Sequence, residues 1–457
     1  MEPVTRRDLL RNGALLAAAL PALAGISACG RWPAPSTPDD PAERGTWIPP
    51  EHVAMSSAAR IAPPPGALMP AVDALTDFTE RSAAALLRAQ DGNVVASPLS
   101  IAYALAMTAN GARGRTQEEM LTVLGRLPLA DLDAGFGAIT DLLVARAGSR
   151  TKSDGNRADI VLSVANSLWG ERSIRWEAPF LDVLAAWFGA GMHVFGGDVL
   201  APGYVPDGRR ARAPINAWVS EQTEGAIPEL VQEGALRADT RLVLVNAVHL
   251  KAPWEQPFTP ASTAAAPFVT PAGRVVQAQT MAQELTTASM ATGDGWSALS
   301  LPYAGRELAM TIVLTRATDA AGQATWLESG GIARALGQLS PVTDVAVRMP
   351  RWTFRSRAEL GSLLAALGMP TAFGDGADFA GMTKAVRLAI GAVLHEAFIA
   401  VDEEGTEASA ATAVAMREVS ARADPLSFVV DRPFLFVLHD VASKAPLFVG
   451  RMADPTA

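Results

Sequence analysis

The sequence predicts an α+β protein built on a large mixed or antiparallel sheet. In the first half of the chain, apolar residues often recur every three to four positions, which is helix spacing. In the second half, long apolar runs of strand type dominate. Helices that cluster early and long strands that cluster late are typical of the α+β class.

The composition is that of a large globular protein with a net acidic charge. The 457 residues are 49% hydrophobic and 19% charged, which provides enough apolar material for a sizeable core. The formal net charge of -9 argues against a surface for nucleic acid or anionic lipid, since either would need a basic face. We therefore expect no nucleic-acid partner.

Motifs of enzymes and metalloproteins are scarce in this chain. Its single cysteine, Cys29, leaves no disulfide framework and no cysteine-based metal site. No phosphate-binding loop, histidine cluster or Gly-x-Ser-x-Gly elbow occurs. The sequence predicts a protein that is not an enzyme and that uses no metal or cofactor.

The N-terminus predicts export from the cytoplasm. Residues 1–28 combine a basic start, a short apolar segment and a small-residue end, which is the pattern of a signal peptide. The apolar segment contains Pro21 and is shorter than the ~20 residues that a spanning helix needs. Residues 5–10, with Arg6 and Arg7, resemble a twin-arginine export signal, and the ordinary secretory route remains an alternative.

Residues 26–29, Ile-Ser-Ala-Cys, resemble a bacterial lipobox. That resemblance implies a lipid on Cys29 and attachment to the outer face of the cytoplasmic membrane. The alternative is a chance cysteine in a protein secreted to the extracellular space. Residues 29–70 are rich in proline and predict an irregular tether, so residues 71–457 are expected to form one domain.

The domain opens with predicted helices. Apolar residues at helix spacing predict a first helix over residues 72–86. A short strand at 93–96 leads into a second helix, with Ser97 as N-cap and Pro98 at the first helical position. A capping box from Thr116 to Glu119 predicts that another helix starts at Thr116.

Strands become more frequent further along the chain. We expect a strand at 160–168, a helix at 177–188 and a helix closed by glycine at 215–225. Residues 241–250 predict a strand that is apolar on both faces. The remaining predicted strands are 310–314, 343–354, 387–401, 427–438 and 446–451.

Polar residues interrupt these apolar elements at a few positions. Asn246 lies inside the run 242–248, where an unpaired buried amide would cost about 1–3 kcal/mol. His395 lies on an apolar strand face, where a lone histidine is usually a structural residue. Ser97 and Ser100 lie at a helix start and, taken alone, are ordinary capping residues.

Residues 400–422 are small, regular and hard to assign to a core. The alternate residues Thr406, Ala408, Ala410, Thr412, Val414 and Met416 carry no charge, so one face could be buried in a sheet. Their side chains offer little area, so main-chain hydrogen bonds would have to hold such a strand. Gly405 precedes the run where a pivot needs backbone freedom. An Ala-rich loop or frayed helix is the alternative.

Nine stretches in a fixed order resemble the serpin family from about residue 71 to residue 455. They are residues 93–100, 165–169, 215–219 with 223–225, 242–247, 254–258, 395–397, 403–408, 431–436 and 446–450. The resemblance implies the serpin fold, with a large central sheet, two further sheets, about eight to nine helices and an exposed reactive-centre loop. Residues 251–253 depart from the pattern, since a glycine is usual before the tryptophan, and residues 95–96 replace bulkier aromatics.

The resemblance also assigns site residues. The hinge, where the loop leaves the sheet, comprises Glu403, Glu404, Gly405, Thr406, Glu407, Ala408, Ser409, Ala410, Ala411 and Thr412. The shutter, where the sheet parts, comprises Ser97, Ser100, Asn246 and His395. The breach, at the top of the sheet, comprises Trp254, Arg351 and Glu403, with Arg351 as the basic partner of the hinge glutamate.

Family membership implies an inhibitor of serine proteases that acts as a suicide substrate. The protease cleaves the loop and becomes acylated, and residues 405–419 then insert into the central sheet and trap it. The family spacing from Glu403 places the reactive bond at Val419-Ser420, which favours an elastase-like or subtilisin-like target. Cleavage after Arg417 would instead mean a trypsin-like target and a shorter loop.

Two other functions are compatible with parts of the sequence. A non-inhibitory serpin, acting as a carrier or chaperone, would be indicated by a charged, bulky or proline residue in the hinge. Residues 406–413 hold only Glu407 as a charge, and it lies on the outward face. A serine hydrolase or penicillin-recognising enzyme is suggested by Ser149-x-x-Lys152, but no companion motif accompanies it.

Overall fold

The structure, a computed structural model, describes residues 52–199, 201, 203–406 and 426–457. The predicted signal peptide, Cys29 and the first part of the predicted tether lie outside this range, and so do residues 407–425. Among the residues described, no helix has both the length and the apolar character to cross a membrane.

The described residues form nine α-helices, most of them in the first half of the chain. They are α1 Leu68–Ala89, α2 Pro98–Ala109, α3 Gly114–Val123, α4 Leu129–Arg146, α5 Ala178–Val183, α6 Arg212–Gln222, α7 Ala320–Glu328, α8 Gly331–Gly337 and α9 Gly361–Leu367. A π-helical turn, Leu184–Phe188, continues α5.

The strands form two large sheets. In chain order they are β1 Val53–Ala54, β2 Val94–Ala96, β3 Gly148–Thr151, β4 Arg157–Glu171, β5 Met192–Phe195, β6 Leu242–Pro253, β7 Ala264–Val269, β8 Val275–Gly293, β9 Trp296–Pro302, β10 Leu308–Thr315, β11 Ser340–Pro350, β12 Trp352–Glu359, β13 Ala392–Val401, β14 Gly405–Thr406, β15 Leu426–Val429, β16 Phe434–Asp440 and β17 Pro446–Met452.

The first of these, here called the central sheet, has the strand order β1-β5-β4-β6-β14-β13-β12, with β3 paired to β4. The second sheet has the order β15-β11-β8-β9-β10-β16-β17-β2, with β7 paired to β8. The long strand β8 pairs with β7 over its first residues, with β11 over its middle and with β9 at its end, so the second sheet is continuous. This architecture is the α+β class that the sequence predicts.

The strand β6 is buried on both faces, as its apolar sequence predicts. Leu244 and Leu250 belong to the main core, which also contains α1 and α2. Val243, Val245 and Ala247 face the other way, into a smaller cluster that contains Ile215 and Val219 of α6. The central sheet is therefore covered by α2 on one face and by α6 on the other.

Local capping signals are confirmed at α2 and are wrong at α3. The Ser97 side chain accepts a hydrogen bond from the Ser100 amide, and Pro98 is the first helical residue. Helix α3 starts at Gly114 rather than Thr116, and no side chain caps it. The Thr116 hydroxyl instead accepts a hydrogen bond from the Asp378 amide, because the chain that packs beside α3 competes for it.

Two expected element boundaries also differ. The predicted strand 343–354 is two strands, β11 and β12, that belong to different sheets and separate at Arg351. Part of the predicted tether is ordered, because Val53–Ala54 pairs with β5 at the sheet edge and α1 already starts at Leu68. The amide of Ile61 also donates to the carbonyl of Ala186 (2.9 Å).

Candidate functional site

A seam runs between β6 and β13 in the middle of the central sheet. The two strands are parallel and pair directly from Ala392↔Val243 to Ala397↔Val248. Above that point β14 lies between them, pairing Gly405 and Thr406 with β6 and Thr406 with Val401 of β13. The chain that leaves β13 therefore turns back and re-enters the sheet as β14.

Asp402 shapes the turn that brings the chain back. Its carboxylate accepts hydrogen bonds from the amides of Glu404 (2.9 Å) and Gly405 (3.1 Å), and its own amide donates to the Gly405 carbonyl (3.0 Å). Burial raises the pKa of Asp402, against the effect of these hydrogen bonds. A Cβ at position 405 would lie 2.3 Å from the Ala252 carbonyl oxygen, so the close approach to β6 requires glycine.

Trp254 lies at the top of the seam and holds the returning chain. Its amide donates to the Glu404 carbonyl (2.8 Å), and its indole Nε1 donates to the Asp402 carbonyl (3.0 Å). The indole stacks on the Tyr303 ring, with centroids 4.6 Å apart and planes 4° apart. The Tyr303 hydroxyl is hydrogen-bonded to the Thr406 hydroxyl at 2.6 Å, so an aromatic pair anchors the hinge.

Glu403 is fixed by a neutral donor and by a cation. The Thr263 hydroxyl donates to its carboxylate at 2.6 Å. The Arg351 guanidinium lies 3.7 Å from the same oxygen, and half of the Arg351 side chain is exposed. The Phe258 amide also donates to the Glu403 carbonyl (2.8 Å). The structure thus brings together Trp254, Arg351 and Glu403, the residues predicted for the breach.

Thr406 is already buried in the uncut chain. Only 2% of its surface is exposed, and it pairs with strands on both sides. The sequence places this residue in a strand that waits outside its sheet and is buried on insertion. The structure instead shows Gly405 and Thr406 of the hinge already paired inside the sheet.

The four residues predicted for the shutter lie together where α2 begins beneath the seam. The Ser97 hydroxyl donates to the Leu447 carbonyl (2.7 Å), and its amide donates to Nε2 of His395 (3.1 Å). The Asn246 side-chain amide donates to the Ser100 carbonyl (3.2 Å). Burial lowers the pKa of His395 to about 4, so its ring is neutral at physiological pH.

Asn166 completes this group and was not predicted as a site residue. It lies opposite Asn246 on β4, just as His395 lies opposite Asn246 on β13. Its carboxamide oxygen accepts hydrogen bonds from the Asn246 amide (3.2 Å) and from the Ser100 hydroxyl. Three polar residues therefore form one row across the sheet, at the level where the seam is closed.

The row is not fully satisfied by its own hydrogen bonds. Nδ2 of Asn166, Oδ1 of Asn246 and Nδ1 of His395 have no hydrogen-bond partner among the residues that the structure describes. Each such buried polar atom costs about 1–3 kcal/mol. The closed seam therefore carries polar groups that could still form hydrogen bonds.

Other predicted site residues lie outside the described part of the chain. These are Cys29, Glu407, Ala408, Ser409, Ala410, Ala411, Thr412, Arg417, Val419 and Ser420. The structure adds Asp402, Thr263 and Tyr303 to the site. Thr263 and Tyr303 gain their roles from contacts with residues far away in the chain, so no local motif marks them. Asp402 acts within its own turn, on the amides of Glu404 and Gly405.

The alternative Ser-x-x-Lys site is not assembled. Ser149 lies on the exposed hairpin of β3 and β4, where its hydroxyl accepts a hydrogen bond from Arg157 (3.2 Å). Lys152 lies 3.8 Å from the Asp154 carboxylate.

In the described ranges, no group of three or more His, Cys, Asp or Glu residues could hold a metal ion.

The central sheet of this α+β fold thus holds β14 between β6 and β13 at its top and is closed below over a polar row. The family model for serpins, described as serine protease inhibitors, matches residues 73–455. The chain belongs to the serpin family, as its motifs predict.

Known proteins resemble this chain over most of its length. It is 32% identical over 380 residues to the leukocyte elastase inhibitor of Sus scrofa, covering 80% of this chain and 93% of that protein. A serpin-like protein of Thermococcus kodakarensis is 34% identical over 388 residues, with 84% and 86% covered.

Solved structures show the same fold. Serpin48 of the insect Tenebrio molitor matches with a TM-score of 0.69 and 28% identity, covering 84% of this chain and 97% of that one. The thermophilic serpin tengpin in its native state matches with a TM-score of 0.72 and 24% identity, covering 88% and 97%. These similarities confirm the predicted serpin fold.

Proposed function

We propose that this protein inhibits serine proteases as a suicide substrate and is not itself a protease. The observation that carries the proposal is β14, the start of the loop, seated between β6 and β13 before any cleavage. A loop that has begun to pair with both sides of the seam needs no further nucleation to continue. Insertion then proceeds by extension of β14 down the seam.

The chemical step belongs to the target protease. Its serine hydroxyl attacks the Val419 carbonyl carbon, the bond to the Ser420 nitrogen breaks, and Val419 remains as an ester on the protease. The rest of the stretch, up to Val419, then follows Gly405 and Thr406 into the space between β6 and β13 and carries the acylated protease with it. Inhibition results when insertion distorts the protease before water can hydrolyse the ester.

The hinge composition supports insertion. Residues at alternate positions from Thr406 to Met416 are uncharged, and most are small. Small side chains let a strand enter between two others, where main-chain hydrogen bonds provide most of the holding energy. The polar atoms of the shutter that lack partners are available to an entering strand.

The target class follows from the residue before the reactive bond. Val419 favours an elastase-like or subtilisin-like protease, and the relatives from Sus scrofa and Bos taurus are leukocyte elastase inhibitors by name. Cleavage after Arg417 would mean a trypsin-like target.

We further propose that the protein is exported and held at the outer face of the cytoplasmic membrane by a lipid on Cys29. The support is the sequence of residues 1–29. Replacing Cys29 by serine should release the protein from the membrane fraction into the soluble fraction, as measured by fractionation and immunoblotting. Unchanged membrane retention would contradict lipid anchoring.

The inhibitor proposal is tested by incubating the protein separately with elastase, subtilisin and trypsin. At least one protease should form a complex that survives SDS, and mass spectrometry should find a released C-terminal peptide beginning at Ser420. A peptide beginning at Glu418 would instead support cleavage after Arg417. Complete turnover by all three proteases, with no stable complex, would leave the proposal without support.

A further inference from the structure

A cluster of charges lies beside the closed part of the seam and connects β12 and β13 to the segment after α6. We call it the clasp: Arg355 and Arg357 of β12, Glu396 of β13, and the carbonyls of Ala226 and Glu229 in the segment after α6. None of these residues is among those assigned to the breach or the shutter.

Glu396 is the centre of the clasp. Its side chain is 0% exposed, and a buried carboxylate is stable only when it is paired. Arg357, directly opposite on β12, donates from Nε at 2.7 Å, and Nη1 of Arg355 lies 3.4 Å away. Since both arginines lie on the neighbouring strand, these contacts alone would tie only β12 to β13.

Both guanidinium groups also reach across to the segment after α6. Nη2 of Arg357 donates to the Glu229 carbonyl at 2.6 Å, and Nη2 of Arg355 donates to the Ala226 carbonyl at 3.4 Å. One planar guanidinium can satisfy two acceptors at once, which an ammonium group on a flexible stem does less well. Arg357 thus joins β13 to a segment outside its own strand pair.

That segment is fixed to α6. Asn216 of α6 accepts a hydrogen bond from the Val231 amide (2.7 Å) and donates to the Val231 carbonyl (3.0 Å). Ile227 and Leu230 are buried in the cluster beneath α6, which also contains Val243 and Val245 of β6. Through these contacts the clasp connects β12 and β13 to the β6 side of the seam.

The position of the clasp along the seam gives it a role. Glu396 pairs with Ala247, and the last direct pair between β13 and β6, Ala397↔Val248, is one residue higher. A strand that extends β14 downward must first separate the two strands at this level. The clasp therefore spans the first registers that have to open.

We propose that the clasp is a positioning device that keeps the seam closed below Thr406 and limits how fast the loop can insert. The proposal rests on the proposed inhibitory function, since only insertion makes seam opening useful. Arg357 is its principal residue because it binds both Glu396 and the segment after α6. Loss of the clasp should speed opening locally without loosening the rest of the fold.

The test is backbone hydrogen exchange of the full chain carrying Arg357→Gln with Glu396→Gln, a pair that leaves no buried charge unpaired. Amides of β6 and β13 at the seam should exchange about tenfold faster, which corresponds to about 1.4 kcal/mol. Amides of β16 and β17 should not change. A purely structural role would raise exchange in both regions together.

A matched control is Arg88→Gln with Glu328→Gln, which removes an exposed ion pair of 2.6 Å between α1 and α7, away from the seam. It should leave seam exchange unchanged. If the clasp variant does not fold, Arg357→Lys keeps the charge beside Glu396 and should give a smaller acceleration at the seam. The proposal would be overturned if the seam amides of the clasp variant, or of Arg357→Lys, exchanged no faster than those of the unmodified protein.

A second readout separates this proposal from the inhibitory function. A synthetic peptide copying residues 407–418 should anneal into the central sheet faster in the clasp variant than in the Arg88 control. If the unmodified protein traps proteases but the clasp variant shows unchanged seam exchange and peptide annealing, only the clasp proposal is refuted. If the seam opens faster in the clasp variant but the protein traps no protease, the proposed inhibitory function is refuted and the effect of the clasp on the seam still holds.

Discussion

The hydroxyl of Tyr303 holds the first inserted side chain of the loop. It is hydrogen-bonded to Thr406 at 2.6 Å inside a site where both residues are buried. The ring stacks on Trp254, so the aromatic contact and the hydrogen bond act at the same point. The position of the hinge depends on this pair.

Replacing Tyr303 by phenylalanine should loosen the hinge while keeping the ring stack. Thr406 would lose a buried partner, at a cost of about 1–3 kcal/mol. We expect faster hydrogen exchange at residues 405–406. Tyr103→Phe is a matched control, because it removes a similar buried tyrosine–threonine hydrogen bond of 3.0 Å to Thr140. If both variants change hinge exchange equally, Tyr303 has no special role there.

His395 should make the stability of the protein depend on pH in the acid range. Burial lowers its pKa to about 4, below the value of about 6.5 expected when unfolded. The unfolded chain therefore binds the proton first, so stability is fully present above pH 6.5 and is lost as pH falls towards 4. His395→Gln should lose less stability between those pH values.

The measurement is the free energy of unfolding in urea at several pH values between 7 and 4. Burial also lowers the pKa of His439 to about 4, so His439→Gln is the comparison at a site away from the seam. Both variants should have shallower pH profiles than the unmodified protein. An unchanged slope in His395→Gln would mean that this histidine is not buried neutral.

Some residues of the site could be identified from the sequence, and others could not. Asn246 and His395 could be found because each interrupts an apolar strand. Tyr303 follows an apolar strand without any pattern, and its partner Thr406 is 103 positions away. Thr263 and Asn166 likewise gain their roles only from the fold. Such contacts cannot be predicted from local sequence.

At the scale of elements, the hinge is a strand whose inward side chains must be small and uncharged. Thr406→Arg would place a bulky charge where 2% of the surface is exposed, and a buried unpaired charge is strongly unfavourable. The variant should be cleaved as a substrate and should no longer form an SDS-stable complex. Glu407→Arg, on the face predicted to point outward, should still form one. A stable complex with Thr406→Arg would refute insertion at this position.

Helices and strands whose ends are marked by capping or turn residues were predicted well. Strands that pair with different neighbours along their length were not. Ser97 and Pro98 mark the start of α2 directly in the sequence. The strand β8 escaped prediction because its buried residues, Ala278, Met281, Leu285, Ala288 and Ala291, are spaced three and four apart, as in a helix. Its pairing with β7, β11 and β9 in turn overrides that spacing.

At the scale of the whole molecule, the central sheet is two halves that meet at the seam. The strands β4 and β6 are joined by long antiparallel pairing, and so are β12 and β13. Between the halves the described pairing is a short parallel stretch, with β14 above it. Insertion can therefore proceed by separating the halves while each keeps its internal hydrogen bonds.

The family was predictable because its motifs recur in a fixed order along most of the chain. The fold class was predictable because helices cluster in the first half and strands in the second. The entry of the hinge into the sheet was not predictable, because a sequence cannot show which of two states, outside or inside the sheet, an Ala-rich strand occupies. The structure shows Gly405 and Thr406 already paired inside the sheet.

Hydrogen exchange after cleavage of the loop tests the central claim most directly. A protease that cuts the loop near Val419 without being trapped is used to nick the full chain, and exchange is measured at residues 407–418 together with the thermal unfolding midpoint. Insertion between β6 and β13 predicts strong protection of these residues and a higher midpoint than that of the uncut protein. Freely exchanging residues 407–418 and an unchanged midpoint would contradict insertion.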